Sequence, residues 1–184
     1  LAFTGVDVFP WWYLDSATGL MVLLIAFMQW TAVLVSVPLL KHELEEGSIT
    51  LKQARPYLAL LALFVLSMFT TVLSNNLGVV WIALEATTLA TTLLVAFYAK
   101  PGSLEAAWKY LILCSSGIAL GFIGILLTVY GAEVSGIDIA RALNWSDLYQ
   151  AGAVLPPQLM QLAFIFVLIG YGTKAGLAPM HAWL

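Results

Sequence analysis

Long apolar stretches alternate with short polar segments along most of this chain. The stretches cover residues 16–40, 56–73, 77–99, 104–130 and 157–173. An α-helix needs about 20 apolar residues to cross the hydrocarbon core of a bilayer, and these stretches are of that order. In lipid a helix satisfies its own backbone polar groups, whereas an open strand does not. The pattern therefore predicts an all-α fold, a polytopic bundle of about five transmembrane helices.

Residues 135–152, SGIDIARALNWSDLYQAG, lie between the fourth and fifth stretches and are only loosely helical in pattern. Trp145 and Tyr149 are residue types enriched at membrane interfaces. The segment is predicted to be a short interfacial helix plus a loop.

The fifth stretch carries residues that interrupt a helix. Gly172, Gly176 and Pro179 make a continuous helix unfavourable beyond Thr173. Interrupted helices within a membrane are tolerated where they line a polar cavity, and they mark ion sites in transporters. The sequence therefore predicts that the last helix is broken.

Lysine and arginine are distributed unequally between the two sides of the predicted bundle. One side carries Lys41, Lys52, Arg55 and Lys100, and the loops of the other side carry only Arg141. Positive residues concentrate on the cytoplasmic side of membrane proteins. Loop 41–55 is therefore predicted to be cytoplasmic.

Composition excludes several function classes. The chain is 62 % hydrophobic and only 9 % charged, and its net charge of −3 favours no nucleic-acid partner. A soluble domain carries about 25 % charged residues. A single cysteine, Cys114, cannot ligate a cluster within the chain, and His42 and His181 lie too far apart for a helical metal motif. No redox cofactor is expected in this chain.

Glu85 is the most informative polar residue because it lies near the middle of the third stretch. Thr88 and Thr92 share its helical face at offsets of three and seven residues. Desolvation disfavours a carboxylate and a nearby ammonium favours it, so a carboxyl between these influences can exchange protons. The alternative is a protonated or ion-paired glutamate that only holds helices together.

Two lysines are further candidates for proton transfer. Lys109 follows Glu105 by one turn, with Ser116 on the same face, but it is near enough to the boundary to extend to the surface. Lys174 lies at the predicted helix break, where the helix dipole favours a cation. A lysine that extends to the cytoplasmic surface is the alternative there too. His181 lies beyond the break and is either structural or part of a relay.

Three segments resemble a known family: SNNLGVVWIALEATTLATTLLVAFY from Ser74, EAAWKYLILCSSG from Glu105 and GYGTKAGLAPMHAWL from Gly170. They are similar to the antiporter-like membrane subunits of complex I, membrane-bound hydrogenases and Mrp antiporters, most of all to the hydrogenase-4 component F group. The resemblance implies that Glu85 pairs with Lys174. It also implies that the chain is an internal piece of a longer protein with an inverted repeat.

The resemblance further implies proton transfer driven by redox chemistry on other subunits. Expected partners are other membrane subunits, a peripheral redox arm and the lipid bilayer, and the expected location is a bacterial or archaeal inner membrane. Iron–sulfur, nickel–iron, flavin or quinone groups are expected only on those partners. An Mrp-type sodium/proton antiporter subunit, a purely structural subunit and a bicarbonate-uptake subunit on the same scaffold are the alternatives.

Overall fold

Five long helices dominate the computed structural model, which describes residues 6–9 and 11–184. The helices are α1 (Ser16–Glu45), α2 (Leu51–Leu73), α3 (Leu77–Val95), α4 (Pro101–Val134) and α7 (Pro157–Ala175). All five are long and apolar enough to span a membrane. The predicted all-α bundle with five membrane segments is therefore confirmed, and the chain is an integral membrane protein.

Two smaller features complete the described part of the chain. Strands β1 (Val6–Phe9) and β2 (Trp12–Leu14) pair antiparallel ahead of α1, a ribbon that the apolar pattern did not predict. Helices α5 (Ile139–Ala142) and α6 (Trp145–Ala151) form within the segment that was predicted to be one interfacial helix plus a loop. The interfacial location of that segment stays a prediction.

Several helices begin or end away from the limits of the apolar stretches. Helix α2 starts at Leu51, because Thr50 and Gln53 form a capping box there, and Pro56 consequently lies inside the helix. Helix α4 starts at Pro101, a residue type suited to the first helical position. Helix α3 ends at Val95, followed by turns and Ala99 with φ of 49°. Capping and turn geometry therefore set these limits.

Helices α4 and α7 pack backbone to backbone through small residues. A Cβ on Gly170 would lie 2.4 Å from the backbone nitrogen of Gly121, and a Cβ on Gly117 would lie 2.6 Å from Thr173 Cβ. Small residues permit such close approach of membrane helices. Gly117 lies halfway along the 34-residue α4. The C-terminal end of α7 is therefore held beside the middle of α4.

Two asparagines organise the junction of α2 and α3. The side chain of Asn76 accepts hydrogen bonds from Gly78 N and Val79 N and so caps α3. Asn75, only 3 % exposed, donates from Nδ2 to Ser146 Oγ at 2.8 Å and accepts from Ser146 N at 3.0 Å. This reciprocal pair fastens α6 to the N-terminal end of the helix that carries Glu85.

An ion pair reinforces the same end of the molecule. Arg141 Nη2 lies 2.6 Å from Asp147 Oδ1, and α5 and α6 supply one partner each. The Arg141 guanidinium lowers the pKa of the Asp147 carboxyl below its usual value. The pair is largely solvent-exposed on the Arg141 side, so we assign it an orienting role and no large share of stability.

Candidate functional site

Lys174 occupies the last turn of α7, immediately before the helix ends. Gly176 adopts the left-handed conformation with φ of 78°, which a residue with a side chain rarely does. The amide of Leu177 donates back to the carbonyl of Gly172 at 2.9 Å, and Pro179 lies in the turns that follow. The expected break is therefore present, and a left-handed glycine produces it.

The ammonium of Lys174 points into the bundle. Its Nζ donates to Thr88 Oγ1 on α3 at 2.9 Å and to Tyr110 OH on α4 at 2.7 Å. Thr88 is fully buried, at 0 % exposure. The alternative in which Lys174 extends to the cytoplasmic surface is therefore wrong in this conformation. The three helices that carry these groups meet at the ammonium.

Tyr110 extends the network away from Lys174. Thr91 Oγ1 lies 2.9 Å from Tyr110 OH, and the Lys174 ammonium also lies 5.1 Å from the centre of the Tyr110 ring. Lys174, Tyr110 and Thr91 border a cavity of about 360 Å³ whose other walls are mostly apolar side chains of α1, α2 and α3. The charged group therefore lies between a row of hydroxyls and an open volume inside the bundle.

Glu85 lies one turn before Thr88 on α3. Ser115 Oγ on α4 donates to Glu85 Oε1 at 2.7 Å. The other carboxyl oxygen, Oε2, is buried and has no hydrogen-bond partner among the described residues. A buried polar atom without a partner is costly, because it has lost its bonds to water.

Glu85 and Lys174 do not form a direct ion pair in this structure. The ammonium instead binds Thr88, which lies one turn from the glutamate on the same helix face. Cys114, which is fully buried, lies near both groups. The direct pairing implied by the resemblance is therefore absent in this structure.

The remaining predicted residues lie outside this cluster. Lys109 binds Glu105 in an exposed i,i+4 ion pair, with exposures of 63 % and 66 %. Ser116 is exposed and faces a different cavity, beside Pro179. Thr92 donates to the carbonyl of Thr88 in its own helix. His181 is exposed in the turns after the break. The structure thus brings together Glu85, Thr88 and Lys174 from the predicted set.

Ser115 and Tyr110 belong to the site but were not singled out from the sequence. Each is the direct neighbour of a residue that was considered, Ser116 and Lys109 respectively. One residue along a helix turns the side chain by about 100°, so the neighbour faces elsewhere. The sequence did contain one signal for these two residues. The glycines of α4 pack against α7, so the polar side chains on another side of α4 are the ones that can face α3.

Comparison with known proteins places the helices of this site in one family. The sequence profile of the family described as NADH:quinone oxidoreductase/Mrp antiporter, transmembrane, matches residues 74–184. That range covers α3, α4 and α7, and so every residue of the cluster. Helices α1 and α2 precede the matched range.

Individual relatives give the same result. A hydrogenase-4 component F homolog of Methylacidiphilum infernorum is 38 % identical over 170 residues, which cover 92 % of this chain and 36 % of the relative. NADH-quinone oxidoreductase subunit N of Campylobacter concisus is 30 % identical over 131 residues, which cover 70 % of this chain and 25 % of the relative. NADH-quinone oxidoreductase subunit N 2 of Acidobacterium capsulatum is 30 % identical over 174 residues, which cover 92 % of this chain and 33 % of the relative.

The chain spans about a third or less of the length of these relatives. Their similarity nevertheless extends beyond the profile match, because two of the alignments include most of α1 and α2 as well. The profile match covers more than half of the 184 residues. This chain belongs to the NADH:quinone oxidoreductase/Mrp antiporter family of membrane proteins.

Proposed function

We propose that this chain is part of a membrane subunit that transfers protons through Glu85 and Lys174 in a redox-driven complex. The observation that carries the proposal is the ammonium of Lys174, turned into the bundle and bound there to the hydroxyls of Thr88 and Tyr110. Both partners are neutral hydroxyls inside the bundle, and Lys174 is the group proposed to bind and release the transferred proton.

Glu85 supplies the second proton-binding group of the proposal. Its Oε1 accepts from Ser115, and its Oε2 is buried without a partner among the described residues. A proton on Oε2 removes the charge and turns this oxygen into a donor. Glu85 therefore alternates between a charged form that attracts the Lys174 ammonium and a neutral form that does not.

The driving force of the proposed transfer is electrostatic. A charge that approaches the cluster changes the balance between Glu85 and Lys174, because the low effective dielectric of a bundle interior strengthens charge interactions. Loss of the attraction from Glu85 favours release of the Lys174 proton. The cavity that Lys174 borders gives water a place to receive it.

Partner subunits would supply the redox chemistry. The relatives are called a component F homolog and a subunit N, names that describe members of larger assemblies. We therefore place other membrane subunits and a peripheral redox arm around this chain, in an inner membrane with loop 41–55 on the cytoplasmic side. The iron–sulfur, nickel–iron, flavin or quinone groups belong to those partners, and electron donor and acceptor follow from them.

The test uses the full-length protein in its complex. Lys174→Met and Glu85→Gln remove one charge each with little change of volume. We expect both variants to lower the number of protons that the complex moves per electron, while assembly is retained. Lys52→Met is the matched control, because Lys52 is exposed at the start of α2 and contributes nothing to the cluster.

The measurement is the proton-to-electron ratio in vesicles, together with the rate of electron transfer. An unchanged ratio in both charge variants would assign Glu85 and Lys174 a purely structural role and overturn the proposal. A second candidate function, sodium/proton exchange, has support from the family description, which includes Mrp antiporters. It predicts sodium-dependent transport that persists when the redox reaction is inhibited.

A further inference from the structure

The segment after the helix break folds back onto the end of α7. Trp183 Nε1 donates to the carbonyl of Thr173 at 2.8 Å. Thr173 lies in the last turn of α7, and its carbonyl also accepts from the amide of Gly176 at 3.2 Å. The Thr173 hydroxyl also lies 3.0 Å from Met180 Sδ. Two side chains of the returning segment therefore fasten to one residue beside Lys174.

Trp183 makes a second contact, and that contact reaches α4. Its ring meets the ring of Tyr110 edge-on, with centroids 5.1 Å apart and an interplanar angle of 61°. Edge-to-face pairs of this kind are favourable beyond simple burial. Trp183 thus forms a hydrogen bond to α7 through its N–H and packs its ring against Tyr110.

Tyr110 is the link between Trp183 and the charge. Its hydroxyl accepts from the Lys174 ammonium at 2.7 Å, and its ring borders the same ammonium at 5.1 Å. A ring contact on one edge restricts the side-chain angles that set the position of the hydroxyl. Trp183 thus contacts the ring of the tyrosine whose hydroxyl binds Lys174.

We propose that Trp183 is a positioning residue that sets the proton affinity of Lys174 through Tyr110. The inference rests on the proposed function, because it concerns the same lysine. Thr88 contacts Lys174 from α3 and Tyr110 contacts it from α4. Glu85 on α3 and Cys114 on α4 are the other titratable groups nearby. Trp183 itself carries no titratable group. Its effect is confined to the acceptor that it orients.

The consequence for the segment after the break is a coupling in both directions. When the segment is docked, Tyr110 is held against the ammonium and stabilises the protonated form. When Lys174 releases its proton, the bond to Tyr110 weakens, and the ring contact that holds Trp183 weakens with it. Docking of residues 177–184 and protonation of Lys174 therefore favour one another, as linkage requires.

The experiment is a double-mutant cycle in the full-length complex, reconstituted in vesicles and driven by its own electron donor. Trp183→Phe keeps an aromatic ring but removes the N–H that binds Thr173. Tyr110→Phe keeps the ring that Trp183 contacts but removes the hydroxyl that accepts a hydrogen bond from Lys174. Trp108→Phe and Tyr130→Phe are matched controls, because both residues are exposed on α4 and lie outside the cluster.

The readout is proton transport as a function of pH. A hydrogen bond to the charged form favours that form, so its loss lets Lys174 deprotonate at lower pH. We expect each single variant to shift the midpoint of the profile to lower pH by about one unit, the order expected for one bond to a charged group. The double variant should shift it no further than Tyr110→Phe alone, and the controls should leave it unchanged.

Additive shifts in the double variant would overturn the proposal, since Trp183 would then act independently of Tyr110. A lower transport rate with an unshifted midpoint in Trp183→Phe would also overturn it and indicate a structural role. If Trp183→Phe does not assemble, Trp183→Tyr takes its place in the cycle with the same expectation. Failure of the proposed function itself is distinguishable, because Lys174→Met would then transport protons normally and all profiles would coincide.

Discussion

At the scale of single residues, the site depends on which side of α4 each polar group occupies. Lys174 and Glu85 could be chosen from the sequence, because a charge inside an apolar stretch is conspicuous and costly. Ser115 and Tyr110 could not be chosen in the same way. A hydroxyl in an apolar helix has many structural uses, and its role depends on the rotation of the helix against its neighbours.

Adjacent serines on α4 offer a sharp test of this assignment. Ser115→Ala removes the donor to Glu85 Oε1 and leaves the carboxyl with no partner among the described residues. We expect a severalfold loss of proton transport, because the carboxyl of Glu85 is no longer held in place from α4.

Ser116→Ala is the control in the same pair. Ser116 is exposed and one position away, so its removal should leave both the rate and the profile unchanged. The measurement is transport in vesicles across a pH series. Equal effects of the two alanines would contradict the assignment of Ser115 as the partner of Glu85.

At the scale of elements, the small residues between α4 and α7 fix the height of Lys174 in the bundle. The apolar stretches predicted that these helices exist, and Gly117 and Gly121 favoured close packing. The stretches could not predict the depth of the break relative to α4. That depth follows from which glycine contacts which residue between α4 and α7, and these contacts are visible only in the folded structure.

Gly170 tests the contact directly. A methyl group there would lie 2.4 Å from Gly121 N, so the helices must separate, and overpacking of this kind costs about 1–3 kcal/mol. We expect Gly170→Ala to lower the thermal stability of the protein in detergent and to reduce proton transport, because α7 carries Lys174 away from Thr88 and Tyr110.

Gly19→Ala is the matched control for this prediction. Gly19 lies in α1, and a Cβ there would meet nothing within 4 Å. The same substitution should therefore leave stability and transport close to the wild-type values. Thermal unfolding followed by circular dichroism is the measurement. An unchanged melting temperature for Gly170→Ala would show that α4 and α7 are less tightly packed than the structure has them.

At the scale of the whole molecule, the charge asymmetry of the loops predicts orientation, and the fold makes it testable. The ends of α1 and α3 and the start of α4 share one side, while α5 and α6 follow α4 on the other. Membership of the family could be recognised from the sequence because the motifs on α3, α4 and α7 are long and specific. The arrangement of the hydroxyls around Lys174 could not be predicted from the sequence, because residues of three separate helices form it.

Thiol labelling in intact cells tests the orientation. Ser48→Cys places a thiol in the exposed loop between α1 and α2, and Gln150→Cys places one on exposed α6. We expect a membrane-impermeant maleimide to label Gln150→Cys from outside the cell and Ser48→Cys only after lysis. Native Cys114 is fully buried and serves as the unlabelled background. The reverse pattern would invert the predicted topology.

Thr88 has a consequence of its own. Its hydroxyl accepts from Lys174 and lies 3.2 Å from the carbonyl of Leu84, to which it donates. A hydroxyl hydrogen rotates to suit its neighbours, so a neutral amine at Lys174 can become the acceptor in place of that carbonyl. Under the proposed function, release of the Lys174 proton would therefore reverse the direction of the hydrogen bond between Thr88 and Lys174. The carbonyl of Leu84, the residue that directly precedes Glu85, would then lose its bond from Thr88 without any movement of a helix.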